Sequence, residues 1–111
     1  MFSKDSIDVM ERKDFKLGEF DTTVPGCYRN VEFFQFSVGP KHVIYAEVKS
    51  DIPVDTAVAN SDGSTAYHKS NVTNEIIGPV PTKDNEDMAL FLGLYPGDKA
   101  KVSFKIWAEK A

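Results

Sequence analysis

Short runs of alternating apolar and polar residues, separated by turn-forming residues, cover most of the chain. The clearest run spans residues 100–109, in which every second residue is apolar and its neighbours are mostly charged. A period of two is the pattern of a β-strand with one buried face. The same period in residues 31–38 places Phe34, Phe36 and Val38 on the core side and Phe33 on the opposite side.

The middle of the chain predicts two consecutive short strands and a hairpin. Residues 43–49 and 54–59 are rich in β-formers and are joined by the sequence S-D-I-P. The turn sequence N-S-D-G follows at residues 60–63 and leads into a weaker strand at 64–68. Residues 71–77 and 88–94 are further strand candidates, whereas G-P-V-P at 78–81 is excluded from a central strand because two N–H groups are missing.

Seven or eight such runs, with a turn signal about every 8 to 12 residues, predict an all-β fold. We expect an antiparallel β-sandwich, for example a jelly roll, or a barrel, formed by residues 14–111 as a single domain. Residues 15–17 read as an edge strand, and residues 1–13 as a leader that is either loose or a short helix. The predicted core consists of Phe34, Phe36, Ile44, Ala46, Val48, Val58, Leu90, Leu92, Val102, Phe104 and Ile106.

Composition narrows the classes of function. The chain has 111 residues with 41% apolar and 27% charged side chains, which is typical of one globular domain. A net charge of -4 argues against nucleic-acid binding. The only cysteine, Cys27, excludes an intrachain disulfide, and neither a signal peptide nor an apolar run long enough to span a membrane is evident. We therefore expect a soluble protein that is cytoplasmic, with a simple exported domain without a disulfide framework as the alternative.

Two metal sites were considered and neither is predicted. The set Cys27, His42, His68 and Met88 has the composition of a mononuclear copper site, but its members fall on separate runs instead of one short loop. A calcium loop resembling an EF-hand at residues 58–69 fails because Val58 and Lys69 occupy two ligand positions. The remaining option is a loop cation bound by one of two carboxylate groups: Asp51 with Asp55, or Asp84 with Glu86 and Asp87.

Catalysis is not indicated either. Neither the serines nor the glycines lie in a nucleophile or phosphate-binding motif, so Cys27 or a serine with His42 or His68 as base is the remaining enzymatic alternative. Outward-facing aromatics are more informative, because Phe33, Tyr45 and Trp107 lie on the predicted outer faces and such rings anchor protein partners. The alternative is that another element covers these rings or that they pair across strands.

One family resemblance is visible between Phe33 and Ile106. The order F-F-Q-F-S-V-G-P-K-H-V-I-Y-A-E-V-K-S-D-I-P-V-D-T-A-V-A-N-S-D-G, followed later by L-Y-P-G-D-K-A-K-V-S-F-K-I, resembles the GOLD or emp24-like β-sandwich. The resemblance implies a binding or interaction module, and no cofactor is predicted. Unlike secretory members, the chain has no second cysteine, transmembrane helix or coiled coil. We therefore predict a non-catalytic protein-interaction domain, with a sandwich that binds carbohydrate, lipid or calcium as the first alternative and an enzyme as the second.

Overall fold

The computed structural model describes residues 6–18, 20–21, 27–28, 31–39, 41–82, 87–94 and 98–110. Regular structure in these ranges consists of β-strands, and none of the described segments forms a helix with the length and apolarity needed to cross a membrane. Side chains are described in all ranges except 20–21 and 27–28. The strands are β1 (Ile7–Leu17), β2 (Phe20–Asp21), β3 (Cys27–Tyr28), β4 (Val31–Ser37), β5 (His42–Ala59), β6 (Thr65–Pro81), β7 (Asp87–Gly93) and β8 (Ala100–Lys110).

Six of these strands form one antiparallel sheet. Its order is β1-β8-β5-β7-β4, with β6 paired to the other side of β5, while β2 and β3 pair only with each other. The all-β, antiparallel prediction is therefore confirmed at that level. The finer prediction, a sandwich of seven or eight strands, differs from the structure. Six strands form one curled sheet that resembles half of a barrel.

The curl originates in β5, which is one bent strand of 18 residues and not the two short strands predicted. Its first part pairs with β8 as far as Ser50, and its second part pairs with β7 from Asp55 onward. The ladder with β6 is irregular at the same place, between Lys49 and Val54. Pro53 is tolerated inside β5 because it lies in this gap, where no ladder partner needs its missing N–H.

The bend divides the sheet into two halves. The first half consists of β1, β8, residues 42–50 of β5 and the C-terminal part of β6, and the second half consists of β4, β7, residues 55–59 of β5 and the N-terminal part of β6. Aromatic rings join the halves across the core: Phe34 of β4 lies 4.7 Å from Phe104 of β8 and 5.2 Å from Phe15 of β1, between ring centroids. Burying large rings at this junction stabilises the curled form.

The N-terminal prediction was wrong for residues 7–13, which belong to β1 and pair with β8 instead of forming a loose leader or a short helix. The strand is favoured because pairing satisfies its backbone groups while Val9 and Met10 pack against the core. Residues 1–5 lie outside the described ranges. The expected edge strand at residues 15–17 is confirmed, since β1 ends the sheet.

The predicted core is largely correct. All eleven predicted residues lie in the core or pack against it, with Phe34 only partly buried. Several residues outside the predicted core list are also buried. These are Leu17, Val38, Val54, Val72, Ile77, Val80, Met88, Ala100 and Ala108.

Candidate functional site

The three aromatic residues predicted to contact a partner belong to two separate pairs. Tyr45 lies directly opposite Trp107 across β5 and β8, with parallel rings whose centroids are 5.5 Å apart. Phe33 lies in the other half of the sheet, opposite Phe91 of β7, again with stacked rings at 5.5 Å. The structure therefore brings Tyr45 and Trp107 together and places Phe33 apart from them.

The Tyr45–Trp107 pair is held on several sides. Both side chains are half-buried, and the Trp107 Nε1–H donates a hydrogen bond to Glu109 Oε2 at 3.0 Å. Gly78 of β6 lies against the tyrosine, so close that an added Cβ would be 3.1 Å from Tyr45 Cδ1. This arrangement is that of a cross-strand pair packed over a glycine, the structural alternative considered for these rings. Their role in partner binding stays a prediction.

Phe33 is much more accessible. It is 54% exposed, and Val31, two residues earlier on the same face of β4, is 57% exposed. The opposite face of the strand is turned inward, where Phe36 is buried. We call Val31, Phe33 and Phe91 the Phe33 patch. Exposed apolar side chains that adjoin on one face are typical of an interaction surface.

The strand that presents the patch is also a regular sheet edge. β4 pairs with β7 through seven consecutive residues without a register shift, and in the described ranges no strand pairs with its other side. It contains one charged residue, Glu32. A regular, weakly charged edge is the kind to which another strand can be added.

The other two edges differ from β4. β1 has two register shifts, a positive φ of 53° at Asp14 and a series of exposed charged side chains. β6 has positive φ at Asn71 and Gly78, and Pro79 and Pro81 cannot donate a backbone hydrogen bond. Bulges, charges and prolines are the usual means by which proteins block unwanted strand pairing. Of the described edges of the main sheet, only β4 lacks them.

Two clefts flank the Phe33 patch. The first, here called the end cleft, has a volume of about 490 Å³ and lies where Ser37 Oγ donates a 2.7 Å hydrogen bond to Asp87 Oδ1. The second, the bend cleft, has about 570 Å³ and contains Asp55 and Asp98. Gly93 lines it and pairs with Val31, which places it at the other end of the patch. The apolar patch thus lies between two clefts that contain carboxylates.

The candidate metal and catalytic groups are dispersed. His42 Nδ1 lies 3.1 Å from Gly39 O at the start of β5, whereas His68 is opposite Ala57 near the other end of that strand. The side chain of Cys27 lies outside the described ones, as do Asp84 and Glu86 of the predicted cation loop. Among the described residues, no three His, Cys, Asp or Glu side chains are grouped so that they could hold a metal ion.

The candidate carboxylate pair Asp51 and Asp55 has a structural contact. Asp51 Oδ1 accepts a 2.9 Å hydrogen bond from the backbone N–H of Lys101, so this side chain helps to hold the bend of β5 against the start of β8. Asp55, the other member, faces the bend cleft. The hydrogen bond accounts for Asp51 without a cation.

Comparisons with known proteins show no family or relative for this chain. No family model matches the chain, and no curated protein is significantly similar to it.

Sequence reasoning identified Phe33 but missed its two companions. Val31 shares the period-two face of Phe33, so the signal for it was present. Phe91 was missed because residues 88–94 are apolar on both faces, a pattern that predicts a strand covered on both sides.

Proposed function

We propose that the chain is a non-catalytic protein-interaction domain and that a partner protein binds at the Phe33 patch. The observation behind this proposal is the exposure of Val31 and Phe33, side by side, on a regular edge strand. Leaving such side chains in water costs free energy that a partner recovers when it covers them. The flat ring stack of Phe33 on Phe91 supplies a rigid aromatic anchor of the kind found at the centres of protein interfaces.

The proposal is tested by comparing two matched lysine variants. Phe33→Lys places a charge in the patch, and Ile76→Lys makes the same change at a residue that is 57% exposed in the first half of the sheet. Immobilised wild-type protein and both variants are incubated with lysate from the source cells, and the retained proteins are quantified by mass spectrometry. We expect a set of proteins retained by the wild type and by Ile76→Lys but lost from Phe33→Lys.

Folding is the necessary control for this comparison. Both substituted side chains are more than half exposed, so the free energy of unfolding of each variant is expected to lie within about 1 kcal/mol of the wild-type value. If all three proteins, equally stable, retain the same set of lysate proteins, the patch is not the binding surface and the proposal is wrong.

A second candidate, binding of a small ligand, is favoured by the bend cleft. Its volume of about 570 Å³ is within the usual range of small-molecule sites, and Ile52 and Leu94 give it apolar walls beside Asp55. An NMR screen with small organic fragments tests this role. Shifts at Ile52 and Leu94 that saturate with concentration would support it, and their absence across the screen would contradict it.

We also propose that the curled sheet corresponds to a GOLD-like β-sandwich. Support comes from the bend in β5, which lets the two halves face each other, and from the ring contacts of Phe34 with Phe15 and Phe104 between them. The proposal concerns the fold alone and assigns no activity. A crystal structure in which the two halves do not lie face to face would overturn it.

A further inference from the structure

We propose that the partner that covers the Phe33 patch also places a lysine or arginine side chain in the bend cleft, beside the carboxylates of Asp55 and Asp98. This inference rests on the proposed function and names the chemistry of its partner. It follows from the row of residues that joins the patch to the cleft, from the walls of the cleft, and from its charge.

A row of directly opposed residues leads from the patch into the cleft. Val31 of β4 is opposite Gly93 of β7, and Gly93 is in turn opposite Asp55 of β5. Directly opposed residues lie on the same face of an antiparallel sheet, and Val54 and Thr56 on either side of Asp55 are buried. The Asp55 side chain therefore projects from the outer face, as that of Val31 does, and the residue between them in the row is a glycine.

The spacing along this row matches the reach of a long basic side chain. Two strand spacings of about 4.8 Å separate Val31 from Asp55, so roughly 10 Å lie between an apolar group on the patch and a cation beside Asp55. Alternate residues of an extended partner segment are about 7 Å apart, and the length of a lysine or arginine side chain covers the rest. Because Gly93 has no side chain, the methylene groups of the basic residue can lie across it.

The walls of the bend cleft match both parts of such a side chain. The cleft has a volume of about 570 Å³, and Ile52, Pro53 and Leu94 give it apolar surface. Lysine and arginine place their aliphatic stems along apolar surface and keep the charged end beside polar groups. The stem would therefore contact these three residues while the cation lies beside the carboxylates.

The charge of the cleft selects a cation. Asp55 and Asp98 are exposed, and neither side chain has a hydrogen bond or an ion pair with a residue that the structure describes. The described residues that line the cleft include neither lysine nor arginine. The chain as a whole has a net charge of -4, which favours a basic partner at longer range as well. Charge complementarity of this kind determines which residue of a partner meets the cleft.

Short blocked peptides test the inference with the intact protein. Acetyl-Leu-Gly-Arg-amide and acetyl-Arg-Gly-Leu-amide have a leucine for the patch and an arginine for the cleft, in the two possible orders. One control peptide has citrulline, the uncharged isostere of arginine, and another has glycine in place of leucine. Binding is followed by NMR chemical shifts of the backbone amides of Phe33, Gly93 and Leu94.

We expect one of the two orders to shift these amides with a dissociation constant in the millimolar range. Citrulline should weaken binding about tenfold, because it leaves both carboxylates without a cation. Asp55→Asn and Asp98→Asn should each weaken the arginine peptide about threefold and leave the citrulline peptide unchanged. The matched variant Asp8→Asn, at an exposed carboxylate in the first half of the sheet, should leave both peptides unchanged.

The lysate experiment shows whether a protein partner makes the same contact. The proteins lost from Phe33→Lys should also be lost from a double variant, Asp55→Asn with Asp98→Asn, and be retained by Asp8→Asn and Ile76→Lys. If the double variant retains them, the inference is wrong while the interaction function stands. If Phe33→Lys retains them as well, both are wrong.

Three results with the peptides would also overturn the inference: equal affinity of the arginine and citrulline peptides, shifts that map away from the cleft, or no saturable shifts at tens of millimolar peptide. A free small cation is the alternative occupant, and butylguanidinium serves as its probe. If butylguanidinium binds as tightly as the arginine peptide while the double variant retains its lysate partners, the cleft is a small-ligand site and the inference is wrong.

Discussion

Two stacked aromatic pairs lie on the outer face of the same sheet, one in each half, and they have nearly the same internal geometry. The ring centroids of Tyr45 and Trp107 and those of Phe33 and Phe91 are both 5.5 Å apart. Their surroundings differ. Trp107 is on β8, which has a paired strand on each side, whereas Phe33 is on β4, which among the described strands pairs with β7 alone. The first pair is half-buried and the second leaves Phe33 largely exposed.

The difference shows that an outward-facing ring is not in itself an interaction site. Glu109 of the same strand accepts a hydrogen bond from Trp107, and the neighbouring strand β6 offers a backbone surface at Gly78 to Tyr45, so this pair contributes to the stability of its half. Phe33 packs against one neighbouring strand, β7, through its stacking contact with Phe91. Position in the sheet, more than residue type, therefore separates a structural pair from a candidate binding surface.

Gly78→Ala should produce the largest effect, by disrupting the enclosed pair. Gly78 has a φ of +124°, and a Cβ there would lie 2.5 Å from Ile44 O as well as against the ring of Tyr45. We expect a loss of about 3 kcal/mol in the free energy of unfolding, because both the backbone conformation and the contact are unfavourable for alanine. Urea unfolding followed by circular dichroism measures this loss.

Gly39→Ala is the matched control, since an added Cβ meets nothing within 4 Å and its φ is not positive. Its unfolding free energy should stay within about 0.5 kcal/mol of the wild type. Equal losses in the two variants would contradict the packing role given to Gly78.

Truncating one ring of each pair is the direct comparison. Trp107→Ala should cost about 2 kcal/mol of unfolding free energy, because it removes a half-buried ring, its stacking and its hydrogen bond to Glu109. Phe33→Ala should cost about 0.5 kcal/mol, the value of an exposed cross-strand pair. Urea unfolding of both variants measures the difference. If Phe33→Ala is the more destabilising of the two, the roles assigned to the pairs are reversed.

The smallest effect concerns the ion pair that lies near the bend between the halves. Lys69 Nζ is 2.9 Å from Glu75 Oε1, and the two residues flank Asn71, whose φ is +58°. The hydrogen bond and the charge of Glu75 raise the pKa of Lys69 above its ordinary value. Because the raised pKa belongs to the folded state, the stabilisation is fully present below pH 10.5 and is lost as pH rises through the folded pKa.

Glu75→Gln should therefore lower stability slightly at neutral pH, and the difference should disappear as the pH rises past the raised pKa of Lys69. Urea midpoints of wild type and variant, measured across this range, give the difference. Both side chains are well exposed, so the effect should also shrink in high salt. A difference that persists undiminished at high pH would show that charge on Lys69 is not its cause.

Local pattern was sufficient for several parts of the fold. The period of two in residues 100–109 predicted which side chains of β8 are buried, and the same period in β4 correctly separated Phe36 from Phe33. The break at Pro53 was recognised, but its consequence was not. A proline interrupts a ladder equally well at a chain reversal or at a bend within one strand, and only the pairing of β5 with both β8 and β7 distinguishes these cases.

The sequence by itself determined that the chain is antiparallel and all-β, which face of β4 and of β8 is buried, and that Phe33, Tyr45 and Trp107 point outward. These properties follow from alternation along one strand, which is a local property. The tertiary structure decided that residues 7–13 form an edge strand, that Tyr45 is packed over Gly78, and that β4 ends the sheet of the described strands with Phe33 exposed. Each of these depends on which strand becomes the neighbour of which, and strand order is set by contacts between residues far apart in the chain.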